Sequence, residues 1–176
     1  MPTSRSRQLD ELPPTMREHI AENMKERIYS TITLLAVIAA HWQTANHHSV
    51  KGTVLSIIGA AVALWLATLV SERMSYRAVH GKAVSNADYR KIAFTSSGLL
   101  APAIIPTLLV LLSLTGWFSL QYALMASMIA LLLSLFFLSF TAGRKIYKST
   151  GRLLIVSLLE MSVGVGVIAL KLAICE

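Results

Sequence analysis

Five long apolar runs occupy most of this 176-residue chain, and they restrict its fold more than any other feature. Each run has 18 to 23 residues, and an α-helix of about 20 apolar residues spans the hydrocarbon core of a bilayer. The sequence therefore predicts an all-α membrane bundle of five transmembrane helices, with the lipid bilayer around it. The predicted spans are residues 28–45, 52–71, 92–114, 120–141 and 153–173.

The basic residues predict how these spans are oriented. Of the 16 Lys and Arg residues, 14 lie in three clusters on alternate sides of the runs, at residues 5–27, 73–91 and 144–152. Cytoplasmic loops of membrane proteins carry the excess of Lys and Arg. The N-terminus is therefore predicted in the cytoplasm and the C-terminus on the opposite side. The compact size and the lack of a targeting signal favour a bacterial inner membrane.

Charge and motif content argue against other classes of protein. Only 14% of the residues are charged, whereas a soluble domain carries about 25%. The net charge of +7 is explained by attraction to anionic headgroups, so no nucleic-acid partner is predicted. The sequence has no Gly-rich phosphate loop, no HExxH and no Cys–His pair with a third partner, so no enzyme activity is predicted.

Residues 1–27 are predicted to form a polar N-terminal region, separate from the five-span domain at 28–176. Its second half has the pattern of an amphipathic helix, which would lie at the cytoplasmic interface. One edge of this helix is apolar and contains Met16, Ile20, Met24 and Ile28. Its acidic edge contains Glu18, Glu22 and Glu26. This acidic edge is either a solvated face held by local ion pairs or a surface that collects cations.

Prolines and small residues predict how the spans pack. Pro102 and Pro106 fall in the middle of the third span, where a proline leaves a carbonyl without its helical partner. Such carbonyls persist at membrane depth only where protein or a wet cavity satisfies them, so the third span is predicted to face the bundle interior. Gly59, Gly164 and Gly166 predict close contacts between helices.

Glu160 is the one acidic residue inside a predicted span. It lies about 11 Å from the cytoplasmic end of the fifth span, at the rise of an α-helix. A carboxylate at that depth is costly unless it is paired, protonated or bound to a metal. Glu160 is therefore either a proton- and cation-binding site in a transport pathway or a protonated acid hydrogen-bonded to a neighbouring span, for example to Ser96 or Ser97.

Glu72 and Met74 form a second candidate site, at the cytoplasmic end of the second span. Carboxylates are general metal ligands and thioethers suit soft transition metals. These two residues are therefore candidates for the mouth of a cation pathway. The alternative is that Glu72 is a solvated partner of the adjacent Arg73.

Several segments resemble one known family of membrane proteins. The run IYSTITLLAVIAA at 28–40 is similar to the family's first span, and SERMSY at 71–76 to the end of its second. Pro102 and Pro106 match its proline-bearing third span, and LFFLSFTAG at 135–143 matches part of its C-terminal third. In these segments the chain resembles the vacuolar iron transporters and their bacterial relatives. The resemblance implies their fold, a divalent metal such as iron or manganese as substrate, and a homodimer whose spans line one pathway.

Two features depart from the pattern of that family. Tyr29 stands where the family has an aspartate near the start of the first span that binds metal. The segment 72–91 has 20 residues, which is too short for the Glu-rich helical domain that the iron transporters insert there.

These observations lead to two hypotheses of function. The first is passage of a divalent cation in exchange for protons, with a transition metal as substrate and no certain cofactor. Glu160 would bind cation and proton alternately, Glu72 and Met74 would form the cytoplasmic mouth, and the acidic edge of the N-terminal helix would collect cations. The second is a non-transporting scaffold or interaction protein that keeps the fold without a metal site, which Tyr29 favours.

Overall fold

The computed structural model describes residues 14–46, 49–82, 85–116, 118–144 and 150–174. Within these ranges the chain is helical and contains no β-strand, so the predicted all-α class is confirmed. The α-helices are α1 (Pro14–Gln43), α2 (Val50–His80), α3 (Asn86–Ser96), α4 (Ala101–Leu112), α5 (Leu120–Gly143) and α6 (Thr150–Ile174).

Among the described residues, four helical segments are long and apolar enough to cross a membrane. They coincide with the predicted second to fifth spans. The first predicted span, at 28–45, lies in α1 and is not among the four. Within α1 its apolar run is flanked by Glu26 and Arg27 on one side and by His41 and Gln43 on the other. The four segments are Val50–Val79, Ile92–Thr115, Leu120–Gly143 and Thr150–Ile174.

α1 joins the N-terminal segment to the first apolar run in one helix. It begins at Pro14, and proline suits the first turn because its missing N–H has no helical partner there. The helix continues for 30 residues to Gln43 without a break near residue 27. Residues 14–27 therefore extend the first span, and their position at a membrane interface stays a prediction. Residues 1–13 of the predicted N-terminal region lie outside the described residues.

α2 extends beyond the predicted end of the second span. At its start, the Ser49 hydroxyl accepts a hydrogen bond from the N–H of Gly52 at 3.1 Å, which satisfies one free donor of the first turn. At its end, Gly81 adopts a left-handed conformation with φ of 61°, which a residue without Cβ adopts easily. The segment 72–91 therefore consists of the last turns of α2, a short connection and the start of α3.

The third span is divided at the point where its prolines predict a distortion. A 3-10 turn, Ser97–Leu100, separates α3 from α4. Pro102 has no N–H to donate to the preceding turn. In a regular helix the N–H of residue 102 would bond to the carbonyl of Gly98. In the tighter 3-10 geometry the N–H of Ala101 bonds to that carbonyl instead.

This 3-10 turn faces the interior of the bundle, as the sequence predicts. Ser30 of α1 donates its hydroxyl to the buried carbonyl of Leu99 at 2.8 Å. Leu99 and Pro106 are both buried. A backbone acceptor near the helix break is thus satisfied by a side chain of a neighbouring helix, as required away from water.

α1 is the central helix of the bundle. It packs against α5, α6, α2 and α4. Its side chains Leu34, Leu35 and Ile38 are fully enclosed, and they form one core with Leu124 and Leu131 of α5. The least apolar of the predicted spans is therefore the one that the other helices surround.

Two contacts fix the register between α1 and α6. Leu35 lies beside Gly164, and the Gln43 side chain donates to the carbonyl of Leu172 at 2.9 Å. Both pairs are separated by 129 positions, so the two helices run parallel with a constant offset.

α5 runs antiparallel to α6 and packs closely against it. Ser139 donates to Ser157 at 3.2 Å, and further along, a Cβ added at Gly164 would lie 2.8 Å from the Cδ2 of Leu132. The close contact predicted at Gly164 is therefore confirmed. Gly59 and Gly166 have no atom within 4 Å of an added Cβ, so the contacts predicted there are not formed within the described part of this chain.

Candidate functional site

Glu160 lies near the midpoint of α6 along the helix axis. It is the eleventh of the 25 residues from Thr150 to Ile174. The offset of 129 residues between α6 and α1 sets Glu160 level with Thr31, close to the 3-10 turn of the third span. Glu160 therefore lies well inside α6, away from both of its ends.

The side chain of Glu160 is exposed on the outside of the bundle. Its neighbours on the outer surface of α6 are apolar, and Leu159 and Val163 are 62% and 56% exposed. Among the described residues, none forms a hydrogen bond or an ion pair with its carboxylate. Buried Ser157 and Gly164 lie three residues before and four residues after Glu160, on the same face of α6. Glu160 is therefore exposed at the edge of the packed face of α6, where lipid or another protein would cover it.

The hydroxyl groups nearest to Glu160 along α6 have partners elsewhere. Ser157, one turn before Glu160, is buried and receives the hydrogen bond from Ser139. Ser162 donates to the carbonyl of Leu159 at 2.6 Å. These bonds direct both hydroxyls to positions other than the Glu160 carboxylate.

The hydrogen bond expected between Glu160 and the third span is not formed. Ser97 donates instead to the carbonyl of Phe94 at 2.6 Å. Ser96 is buried in α3, and α6 packs chiefly on α5 and α1. The serines predicted as partners therefore lie on another side of the bundle.

The second candidate site lies on α2, apart from Glu160. Glu72 is half-buried and makes a polar interaction, whereas Met74 is 67% exposed. α2 packs chiefly on α4, α1 and α3, and α6 packs on α5 and α1. The structure therefore does not bring Glu72 and Met74 together with Glu160.

The acidic edge predicted for the N-terminal helix falls in the first half of α1. Glu26 is half-buried and takes part in a polar interaction. The side chains of Glu18 and Glu22 lie outside the described residues. Across the part of the chain that the structure describes, no group of three or more His, Cys, Asp or Glu residues could hold a metal ion.

Apolar side chains pack around α1 in the interior of the bundle. Leu34, Ile38 and Leu131 are at most 2% exposed. One open groove of about 520 Å³ lies on the outside, between α4 and α5. It contains no charged residue, and its lining consists of Ile105, Ala130, Leu133, Ser134, Phe137, Leu138 and Thr141.

Sequence reasoning found Glu160 but did not assign the face of α6 on which it lies. The small and polar residues Ser157, Glu160 and Gly164 share one face of α6. Ser157 and Gly164 are buried whereas Glu160 is exposed, and no sequence pattern marks that difference. The hydrogen bond between Ser139 and Ser157 was also missed. Its only sequence signal is a serine in each of two neighbouring spans.

Comparison with known proteins adds no relative from which a function could be transferred. No protein-family model, curated protein or solved structure matches this chain. The resemblance to the vacuolar iron transporters therefore rests only on the segments quoted above and stays a prediction. The geometry of α6 and its neighbours carries the functional argument.

Proposed function

We propose that this chain is an integral membrane protein with five spans that binds a transmembrane partner laterally through the outer face of α6. The observation that carries the proposal is the exposure of Glu160 on the outside of the bundle, near the midpoint of α6. Of the two hypotheses from the sequence, this observation favours the interaction protein.

The register between α1 and α6 supports five spans. α6 is one of the four helices with the length and hydropathy of a span, and α1 runs parallel to it with an offset of 129 residues. Residues from 24 to the end of α1 then lie beside the predicted last span, 153–173, and cross the same layer. The termini then lie on opposite sides, as the basic clusters predict.

Burial explains why α1 can span a membrane despite its lower hydropathy. Lipid-facing helices need apolar surface, whereas an enclosed helix can use small and polar residues to pack against its neighbours. Ser30 and Thr31 are at most 1% exposed and face protein. A bacterial inner membrane, with the N-terminus in the cytoplasm, remains our prediction for the location.

The need for a partner follows from the chemistry of a carboxylate in hydrocarbon. Lipid tails offer no hydrogen-bond donor and no counter-charge, so ionisable residues within spans almost always face protein or water. Among the described residues of its own subunit, the carboxylate of Glu160 has no hydrogen-bond donor and no counter-charge. A second transmembrane helix on this face would supply what the bundle does not.

Site-specific photo-crosslinking in membranes tests this proposal. A photoreactive residue at Leu159 or Val163, beside Glu160, is expected to give a protein adduct. The same residue at Leu133, in the groove between α4 and α5, is the matched control. The adduct beside Glu160 should disappear when Glu160→Leu is added. Adducts to lipid alone at all three positions would contradict lateral binding through this face.

Cation transport is the second candidate, and one observation favours it. Discontinuous helices near mid-membrane are typical of transporter sites, and the 3-10 turn Ser97–Leu100 lies close to the level of Glu160. A pathway through Glu160 would run between subunits, where the homodimer implied by the family resemblance would add a second Glu160. Metal-driven flux in proteoliposomes that is lost in Glu160→Gln would support this candidate, whereas equal flux would reject it.

A further inference from the structure

Glu160 lies too deep for its side chain to extend along α6 and place the carboxylate in water. Seven residues separate it from the start of the predicted span at 153 and 13 from its end at 173, which corresponds to about 11 and 20 Å. Long Lys and Arg side chains reach the interface from within a membrane, but a glutamate side chain cannot cover these distances. The carboxylate must therefore be satisfied near the depth at which it lies.

None of the basic residues that the structure describes pairs with Glu160 at that depth. Arg27 comes nearest in depth, because the offset of 129 sets it level with residue 156, but its Nε lies 3.6 Å from a Cβ added at Gly98, against the 3-10 turn of the third span. The other residues of the three clusters lie nearer the ends of the predicted spans or beyond them, and only Lys51 and Lys171 fall outside the clusters. Lys171 is half-buried and lies eleven residues after Glu160, on nearly the same face of α6 but about 16 Å further along the axis. Lys51 belongs to the first turn of α2, at the opposite end of that helix from the basic cluster at 73–91.

A second copy of the chain does not provide a cation either. A symmetric pair with both copies in the same orientation brings the same residues together, so the Glu160 side chains would meet each other. A copy inserted in the opposite orientation would place its basic clusters on the wrong side of the membrane. Charge complementarity therefore points away from self-association through this residue.

We infer that Glu160 binds a lysine or arginine near the middle of a transmembrane helix of a different protein. This inference rests on the lateral binding proposed above and specifies its partner. Each charge would take the place of the water that solvates the other outside the membrane. The apolar side chains of Leu159 and Val163 beside Glu160 would pack against the partner helix. Neither charge is stable alone at that depth, so the pair makes the association selective for a helix with a central cation.

A peptide-binding measurement tests the partner's chemistry. The full chain, labelled at its single cysteine, Cys175, is reconstituted in phosphatidylcholine vesicles with a leucine-rich transmembrane peptide that carries an acceptor dye. One peptide has a central lysine and its control has leucine there. Energy transfer should report about tenfold stronger association of the lysine peptide, the scale of a polar contact between helices. Glu160→Gln should remove that preference, whereas the matched control Ser162→Ala should keep it.

Reversing the charges on the chain and on the peptide distinguishes a specific ion pair from non-specific association. Glu160→Lys should lose the lysine peptide and associate with a peptide that has a central glutamate. Equal association of the lysine and leucine peptides with the parent chain would overturn the inference. If the chain instead associates with copies of itself in a Glu160-dependent way, the partner is wrong but lateral binding stands. If neither peptide nor copy associates through Glu160, both proposals fail.

Discussion

α1 and α6 run side by side, yet they show opposite relations between hydropathy and burial. α1 falls short of the hydropathy of a spanning helix, and its side chains form the centre of the bundle. α6 is among the most apolar helices, and only 17% of its most apolar stretch is buried inside the bundle. In lipid, apolar surface is not driven into the interior, because lipid tails are as apolar as leucine. The buried polar residues, such as Ser30 and Ser157, therefore lie between helices among the apolar side chains of the core.

Glu160 is the exception to that rule. The hydroxyls of Ser30, Ser139 and Ser157 are buried and hydrogen-bonded between helices. The carboxyl group, which is more polar than any of them, lies on the outer face of α6. The lateral binding of a partner proposed above would account for this exception.

The largest contrast is expected between leucines on the two helices. Leu34 of α1 is fully buried, whereas Leu158 of α6 is 45% exposed. Leu34→Ala should lower the free energy of unfolding by about 2–4 kcal/mol, because it leaves a cavity in a packed core. Leu158→Ala should change it by less than about 0.5 kcal/mol. Equilibrium unfolding in mixed micelles measures both, and similar losses at the two positions would remove the distinction between core and outer helix.

A pair of glycines on α6 tests the same contrast within one helix. Gly164→Ala should destabilise the bundle by about 1–3 kcal/mol, since the added Cβ would lie 2.8 Å from Leu132. Gly166→Ala should be neutral or stabilising by about 0.5 kcal/mol, through helix propensity alone, because its surroundings are open. Thermal denaturation of the two variants in detergent provides the comparison. A loss at Gly166 equal to that at Gly164 would show that another helix covers the outer face in the isolated protein.

The hydrogen bond from Ser30 to the 3-10 turn should have a smaller effect. Ser30→Ala is expected to cost about 1 kcal/mol, since a buried carbonyl loses its donor. Ser162→Ala is the control on α6, because the Ser162 hydroxyl bonds only within its own helix. Hydrogen exchange of the amides around Leu99 should increase in the first variant and not in the second. Unchanged exchange in Ser30→Ala would mean that the turn is held by its own backbone.

The smallest effect on the isolated protein is expected at Glu160 itself. Its side chain has no partner among the described residues, so Glu160→Leu should change the free energy of unfolding by less than about 0.5 kcal/mol. The same variant should abolish lateral association. A large loss of stability would place Glu160 inside a structural network and contradict its outward position.

Much of the fold could be predicted from the sequence, because length and hydropathy locate the helices. The predicted spans at 120–141 and 153–173 match α5 and α6 closely. The two prolines predicted carbonyls without helical partners in the third span, because proline lacks a backbone donor. A 3-10 turn does precede Pro102, whereas α4 continues through Pro106. The continuity of α1 through residue 27 was not predicted, because its charged and apolar halves differ so strongly in composition.

The faces of the apolar helices could not be predicted in the same way. When every side of a helix is apolar, periodicity does not distinguish the core from the lipid side. Gly164 and Gly166 illustrate this, since they are equivalent in sequence but only Gly164 meets another helix. Glu160 was located in depth by counting residues, whereas its direction depended on how α6 packs against α1 and α5.

The central claim is that Glu160 faces outward from the subunit, and spin-label accessibility tests it most directly. Nitroxide labels are attached through Glu160→Cys, Val163→Cys and Leu131→Cys, each in a Cys175→Ser background, in vesicles that contain only this protein. The label at 160 should be as accessible to oxygen as that at 163, far more than that at 131, and shielded from a water-soluble nickel complex. High nickel accessibility at 160 would indicate a hydrated pathway, and low oxygen accessibility would indicate a buried site. Either result would contradict the account.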